Sequence, residues 1–277
     1  MGVAASTLLS SLAGAPIAPA EAAVVVAHPD DETIGIGGQL RHLPDIAMLH
    51  VTDGAPRGLE DARLYGYVTW QDYAAARQRE LTAAMEAAGI PAAALLCLDV
   101  PDQQACRRLT AVTRALAAQF AARGTRLALT HPYEGGHPDH DATCFAVHAA
   151  RRLLQRQGAA APAIAEMAFY HLGPDGPVLQ RFPPDEASPE IVLMLDEADW
   201  ETKRRMLACH ETQRRTLAPF TDQVERFRRA PPYDFARLPN GGRVHYDAWP
   251  WGLTAAEWPG LVAAAVADLE LDPPPWL

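Results

Sequence analysis

Short apolar runs alternate with longer amphipathic segments through the first 160 residues of the chain. β-rich runs lie at 23–27 (AVVVA), 46–51 (IAMLHV), 94–98 (ALLCL) and 126–130 (RLALT). Helical spacing of apolar positions falls near 33–42, 72–89 and 106–123, and again at 141–157. Strands separated by helices of this length predict βαβ units, and so an α/β fold with a mostly parallel sheet and helices on both faces. The second half is less regular. Residues 172–190 are proline-rich and read as a long loop, 190–197 (EIVLMLDE) as a strand, and 198–216 as a charged amphipathic helix. The pattern predicts one domain over 1–277, with a core at about 20–215 and an irregular C-terminal extension over 216–277 that holds four of the six tryptophans.

Composition narrows this only a little. An apolar content of 49% supports a sizeable core, and 24 basic against 34 acidic residues give a formal charge of −10. No basic face is expected, which argues against a nucleic-acid partner. The four cysteines, Cys97, Cys106, Cys144 and Cys209, form no CxxC pair and read as reduced thiols of a cytoplasmic protein. The first residues lack the basic and apolar regions of a signal peptide, and no stretch approaches a transmembrane length, so no membrane association is expected.

The chemistry gathers at strand ends. In an open parallel sheet, ligands bind beyond the carboxyl ends of the strands. HPDDE (28–32), TDG (52–54) and HPYEGGHPDHD (131–141) follow the first, second and fourth runs. The first cluster sets three carboxylates at the mouth of a buried strand, where they repel one another and resist desolvation. A cation among them resolves that conflict. Pro29 holds His28 extended and is preset to start a helix, which brings Asp31 round beside His28. His137 and His140 repeat the spacing around Pro138. Two such turns can build a site of two imidazoles and one carboxylate that keeps a position for water, as catalytic zinc sites do. The same donors suit Fe2+. A lone Asp before a helix is ordinarily an N-cap; it is the combination at two strand ends that points to metal. Glu32 reads as a first-turn carboxylate favoured by the helix dipole, or as a support for a ligand. Gly35, Gly37 and Gly38 fail the G-x-G-x-x-G pattern because residue 40 is leucine, and read as close packing of helix on sheet.

At these residues the chain resembles the LmbE-like, or PIG-L, family of metal-dependent N-deacetylases. AHPDDE (27–32) and HPDH (137–140) match its two signature motifs, with softer matches at VTDG (51–54), RQRELTAAMEAAGI (77–90) and KRRMLACHETQ (203–213). The resemblance implies a Rossmann-like fold, a zinc cofactor, and hydrolysis of an N-acyl group, usually N-acetyl on an amino sugar or glycoconjugate. It implies that His28, Asp31 and His140 hold the metal, and that Asp30 is the general base. His137 would face the carbonyl oxygen, oriented by Asp139, and Arg77 would lie near the substrate. The chain departs from the pattern at Gly135, where some members carry a mobile tyrosine. Independent chemistry agrees on Asp30: adjacent side chains diverge, so it cannot easily share Asp31's metal and is free to take a proton from water. A protonated His137, favoured by a nearby Asp139, would support an oxyanion. A metal amidase for a non-sugar amide or thiol conjugate would carry the same ligands. So would a metal- or sugar-binding module without turnover, although that reading leaves the uncoordinated Asp30 without a purpose.

Other residues carry weaker expectations. His131, Tyr133 and Asp53 are candidates for substrate contact, the alternative being loop and turn structure. Lys203 and His210 share a helix face that reads as solvated or packing. His148 reads as a buried, satisfied histidine, Arg107 and Arg108 as surface charges, while His50, His171 and His245 have no partner visible in sequence. Trp249, Trp251, Trp258 and Trp276 suit core packing, an oligomer contact or a pocket wall. The expected partner is a small amino sugar or glycoconjugate, and self-association into a homo-oligomer is compatible with these surfaces.

Overall fold

The computed structural model describes residues 5–276 of the 277-residue chain. In chain order the elements are α1 (Ala5–Ala13), β1 (Ala22–Val26), α2 (Asp31–Leu40), β2 (Ala47–Pro56), α3 (Glu60–Leu64), α4 (Trp70–Ala87), β3 (Leu95–Asp102), α5 (Leu109–Arg123), β4 (Leu127–Thr130), α6 (Pro138–Arg156) and β5 (Ala163–Met167). Then come β6 (Tyr170–Leu172), β7 (Pro177–Leu179), β8 (Ile191–Met194), α7 (Glu197–Cys209), α8 (Arg214–Leu217), β9 (Val224–Arg229) and α9 (Trp258–Asp268). Seven strands make one sheet in the order β3-β2-β1-β4-β5-β9-β8. The first five are parallel, while β9 runs antiparallel to both of its neighbours.

β1 shows how the sheet sorts its side chains. Alternate residues of a strand face opposite sides. Ala23 and Val25 pack with Phe120 of α5, Phe145 of α6 and Trp258 of α9, whereas Val24 and Val26 pack with Leu8 of α1, Ile36 of α2, Leu81 of α4 and Met206 of α7. All five residues of β1 are buried, which explains a continuous apolar run in place of an alternating one. The glycines of α2 do allow close packing: a Cβ on Gly35 would lie 2.9 Å from Met167 Sδ, and one on Gly38 2.6 Å from Leu195 Cδ2.

The order places β2 on one side of β1 and β4 on the other. Chain direction therefore diverges beyond the carboxyl ends of β1 and β4, the position where open α/β sheets bind ligands. The turns leaving those two strands carry the two HPD sequences.

The structure differs from expectation in several places. The stretch 172–190 holds β7 and the end of β6, which form a separate hairpin. The segment beyond 216 has little regular structure, yet it supplies β9 to the sheet and α9 to one face. Trp258 and Trp276 are core residues, their indole N–H groups donating to Phe235 O and Asp272 O. Arg107 fastens this segment by donating to Gly252 O and pairing with Glu257. His148 is buried but not satisfied: neither ring nitrogen has a partner, and burial pushes it down to about 3.

Lys203 and His210 do not form a solvated face. Both are fully buried. Lys203 Nζ donates to Ile34 O at 2.7 Å and to Glu225 Oε1 at 2.8 Å, and the same oxygen accepts the Gly38 N–H at 2.8 Å. One ammonium thus ties α7, α2 and β9 together. His210 sits with Nε2 3.3 Å from Thr33 Oγ1. Removing one partner of a buried ion pair leaves the other charge uncompensated. Lys203→Ala is expected to cost about 3–5 kcal/mol of stability, while Lys203→Met combined with Glu225→Gln recovers most of the loss. Urea midpoints of the three proteins check this, and a loss below about 1 kcal/mol for Lys203→Ala would show that the pair does not hold these elements.

Candidate functional site

The turn after β1 is built against its own preferences. Asp30 precedes α2 with φ of 142°, a conformation that L-residues rarely adopt. Such strain costs on the order of 1–3 kcal/mol and survives only where the surroundings over-determine it. Here they do. Glu32 Oε2 accepts the Asp30 N–H at 3.1 Å and lies 3.0 Å from His50 Nε2, while Glu32 Oε1 accepts from Thr33 at 2.7 Å. Glu32 therefore points into the protein and braces the turn, and His50 has its partner. Arg77 of α4 donates to Pro29 O at 2.8 Å, to Gly54 O at 2.7 Å and to Asp30 Oδ2 at 3.2 Å, stapling the ends of β1 and β2. Gly54 (φ 65°) has to be glycine, since a Cβ would lie 2.8 Å from Pro29 Cδ and 2.9 Å from Arg77 Cζ. Arg77 lines the cleft, but its Nη1 and Nη2 donors serve protein groups.

The two adjacent aspartates face different surroundings. Asp31 accepts the His28 N–H at 2.7 Å and lies 3.2 Å from His28 Nδ1 and 3.3 Å from His140 Nε2. Burial resists its ionisation, yet the imidazoles of His140 and His131 outweigh burial and hold its carboxyl well below the usual range. Asp30 goes the other way: burial, with Asp31 and Glu32 alongside, pushes it well above the ordinary carboxylate range against the pull of Arg77.

His131 supports the cluster from behind. Its ring stacks on His140 with centroids 4.0 Å apart, and its Nε2 accepts the Ala27 N–H at 2.8 Å. That acceptor role requires a neutral ring, in keeping with burial and His140 pushing it down to about 3. His137 caps α6, its Nδ1 accepting the Asp139 N–H at 3.1 Å. The geometry assigns the proton of the neutral ring to Nε2.

Asp139 does not orient His137 through its side chain. Its carboxylate accepts the Gln103 N–H at 2.6 Å and the Ala105 N–H at 2.9 Å, with Oδ2 3.4 Å from His28 Nε2. Only its main-chain amide reaches His137. Nor does His137 sit where a charged form is favoured, since burial, His28 and His140 push it well below the usual imidazole range. Tyr133 is in the core against Phe235 and Trp258, its hydroxyl donating to Arg237 O at 2.7 Å, and is not part of the cleft lining. Asp53 pairs with Arg57 at 2.7 Å and accepts the Ala55 N–H at 3.0 Å, also outside the cleft. His171 lies 3.3 Å from Glu134, and His245 accepts from Trp249 at 3.1 Å.

Asp102 was not among the expected residues. It ends β3 with Oδ1 3.0 Å from His28 Nε2, and His28, with the Arg77 charge, holds its carboxyl down against burial. Its signal in the sequence is position, the carboxyl end of another parallel strand on the same rim. The apolar run that marks the strand stops at residue 98, four residues short of it.

His28, Asp30, Asp31, His137 and His140 meet at the base of a cleft of about 590 Å³, within the roughly 300–1,000 Å³ typical of small-molecule sites. The donor set fits a metal ion. His28, His137 and His140 can bring three ligand atoms within 4.8 Å of one another, as can Asp31, His131 and His140. His28 Nε2 and Asp102 Oδ1 are buried and lack aligned hydrogen bonds although they face each other. A ring nitrogen held by a carboxylate on one side presents its other nitrogen as a metal ligand, and His28 Nδ1 is the one beside Asp31.

Known proteins resemble this chain in sequence and in fold. Residues 23–151 match the family model described as PIG-L, GlcNAc-PI de-N-acetylase. A triple mutant of the deacetylase of the teicoplanin biosynthetic pathway superposes with a TM-score of 0.58 at 16% identity, over 75% of this chain and 96% of that one. The A40926 pseudoaglycone deacetylase Dbv21 gives 0.52 at 17% identity, over 75% and 96%. GalB, the 4-carboxy-2-hydroxymuconate hydratase of Pseudomonas putida KT2440, gives 0.50 at 22% identity, over 72% and 82%. Curated protein sequences give no match. At these identities the structural likeness shows a shared Rossmann-like α/β fold, and a fold that carries both deacetylases and a hydratase does not select the reaction.

Partners that hold a metal-ligating histidine commonly contribute 10- to 100-fold in metal affinity. Asp102→Ala is expected to weaken zinc binding by roughly that factor, read by competition with a chromogenic chelator. An unchanged affinity would remove Asp102 from the support of His28.

Proposed function

We propose, from the match of residues 23–151 to the family model described as PIG-L, GlcNAc-PI de-N-acetylase, that this protein removes an N-acetyl or other N-acyl group from an amino sugar or glycoconjugate. The observation that carries the reading is the divergence of Asp30 and Asp31: consecutive carboxylates at one cleft floor, one drawn into a histidine cluster and the other held apart by Arg77. Two carboxylates whose environments push them in opposite directions suit different roles in one reaction.

His28, Asp31 and His140 would hold a zinc or ferrous ion, which when bound supplies Lewis acidity to the acyl oxygen and to a water. Asp30 accepts the proton of the attacking water. The acid it becomes can return the proton to the departing amine. Arg77 keeps the Asp30 carboxylate in place and aimed at the cleft. His137, protonated at Nε2, donates to the oxygen that gains charge as the carbonyl becomes tetrahedral. A neutral imidazole serves here, so no imidazolium is required. The substrate class rests on the family and on the aromatic rings that line the cleft with the polar groups.

Zinc-reconstituted protein should release free amine from N-acetylglucosamine compounds, and stripped protein should not. Asp30→Asn should keep its metal while turnover falls roughly 10²–10⁴-fold. Metal-loaded protein that releases no amine from any compound would move the assignment to another amide or to a non-catalytic module. Loss of metal in Asp30→Asn would exchange the roles of the two aspartates.

A further inference from the structure

We propose, resting on the deacetylase reading, that Trp249 and Trp251 form a platform for an apolar aglycone, and that the preferred substrate is an uncharged N-acyl amino sugar bearing an aryl or alkyl group. Both residues lie in the C-terminal segment, outside the 23–151 region that the family model matches. They line the same cleft as His28 and Asp30.

The two indoles stack in near-parallel fashion, with centroids 5.5 Å apart and planes at 12°. Trp251 in turn lies 4.6 Å from the His137 ring. An aromatic ribbon thus runs outward from the residue assigned to the acyl oxygen. Trp249 at its outer end is 50% exposed, among the few large apolar side chains left open. It is not loose: its indole N–H donates to His245 Nε2 at 3.1 Å, which fixes the ring plane. A rigid, amphipathic ring held open at a cleft mouth offers contact area at low entropic cost. A sugar seated with its N-acyl group at His137 would send its substituent along this ribbon.

Charge selects among substituents. Asp30, Asp31, Glu60, Asp61 and Asp102 line the cleft, against Arg77 as the single arginine and no lysine among the described lining residues. Arg77 is spent on Pro29 O, Gly54 O and Asp30. A bound divalent cation would be taken up by Asp31 and its histidines, leaving Glu60 and Asp61 on the α3 side unpaired. A phosphate or carboxylate on the substituent would meet like charge and find no free cation, whereas an apolar group covers the indole face.

The test compares zinc-loaded protein on three compounds: an aryl glycoside of N-acetylglucosamine, the free sugar, and its 1-phosphate. Amine release should give a kcat/KM for the aryl glycoside at least about tenfold above the free sugar, with the 1-phosphate below it. In Trp249→Ala the aryl-to-free ratio should collapse towards one. A ratio near one in the unaltered protein, a preference for the phosphate, or a ratio retained in Trp249→Ala overturns the platform and leaves the deacetylase reading standing. Binding of the intact aryl glycoside to Asp30→Asn protein, by calorimetry, decides the matter without turnover. If no compound releases amine, the deacetylase reading fails, and the platform then stands on a roughly tenfold weaker Kd when Trp249→Ala is added, or falls on an equal one.

Discussion

Burying several carboxylates in one tight turn is the constraint on which the rest of this structure depends. Asp30, Asp31 and Glu32 follow directly from a strand with no exposed residue. Left as neighbours in a low-dielectric setting they would hold one another protonated. The chain answers by sending them in three directions. Glu32 turns inward to His50 and Thr33, Asp31 turns to His28 and His140, and Asp30 turns to Arg77. The positive φ at Asp30 is the backbone cost of that separation. Each carboxylate then has its own counter-group, and only Asp31 is left in a setting that a metal ion would complete.

Sheet topology makes this turn useful. With β2 and β4 flanking β1, the second histidine turn lands beside the first although β2 and β3 come between them in the chain. His131, the first residue beyond β4, accepts from Ala27 and stacks under His140, so the two turns are locked to each other as well as adjacent. β3 adds Asp102 from one flank, and Asp139 ties the chain just after β3 to α6. The site is thus assembled from four successive parallel elements, and small shifts in any one of them would be felt by the ligand atoms.

How far the sequence was legible follows from how local each signal is. The spacing in HPDDE and HPDH is local, and strand ends place both motifs, so the cluster of His28, Asp31, His137 and His140 could be read without coordinates. Burial was harder. Lys203 read as part of a solvated or packing face because its partner Glu225 lies on β9, a strand written VERFRR whose charges hide its place in the sheet. Arg228 on the same strand is likewise buried against Glu166. Tyr133 shared a loop with His131 and His137, but its side chain follows the aromatic core; loop membership fixes a main-chain position and not a side-chain direction. Asp102 was hidden because the apolar run ends at residue 98, while the strand continues to residue 102.

His137 is where chemistry and recognition meet. Its inner nitrogen is bound to the main chain of its own turn, which sets the ring plane independently of any substrate. Its edge meets His28 at 4.6 Å, and Trp251 covers it at the same distance. The parallel sheet therefore positions one side of this imidazole and the C-terminal segment the other. Known deacetylases and a hydratase share this fold, so the fold by itself does not set the chemistry. What lies over His137 in this chain is written in the tryptophan-rich segment, beyond the reach of the motifs that mark the two turns.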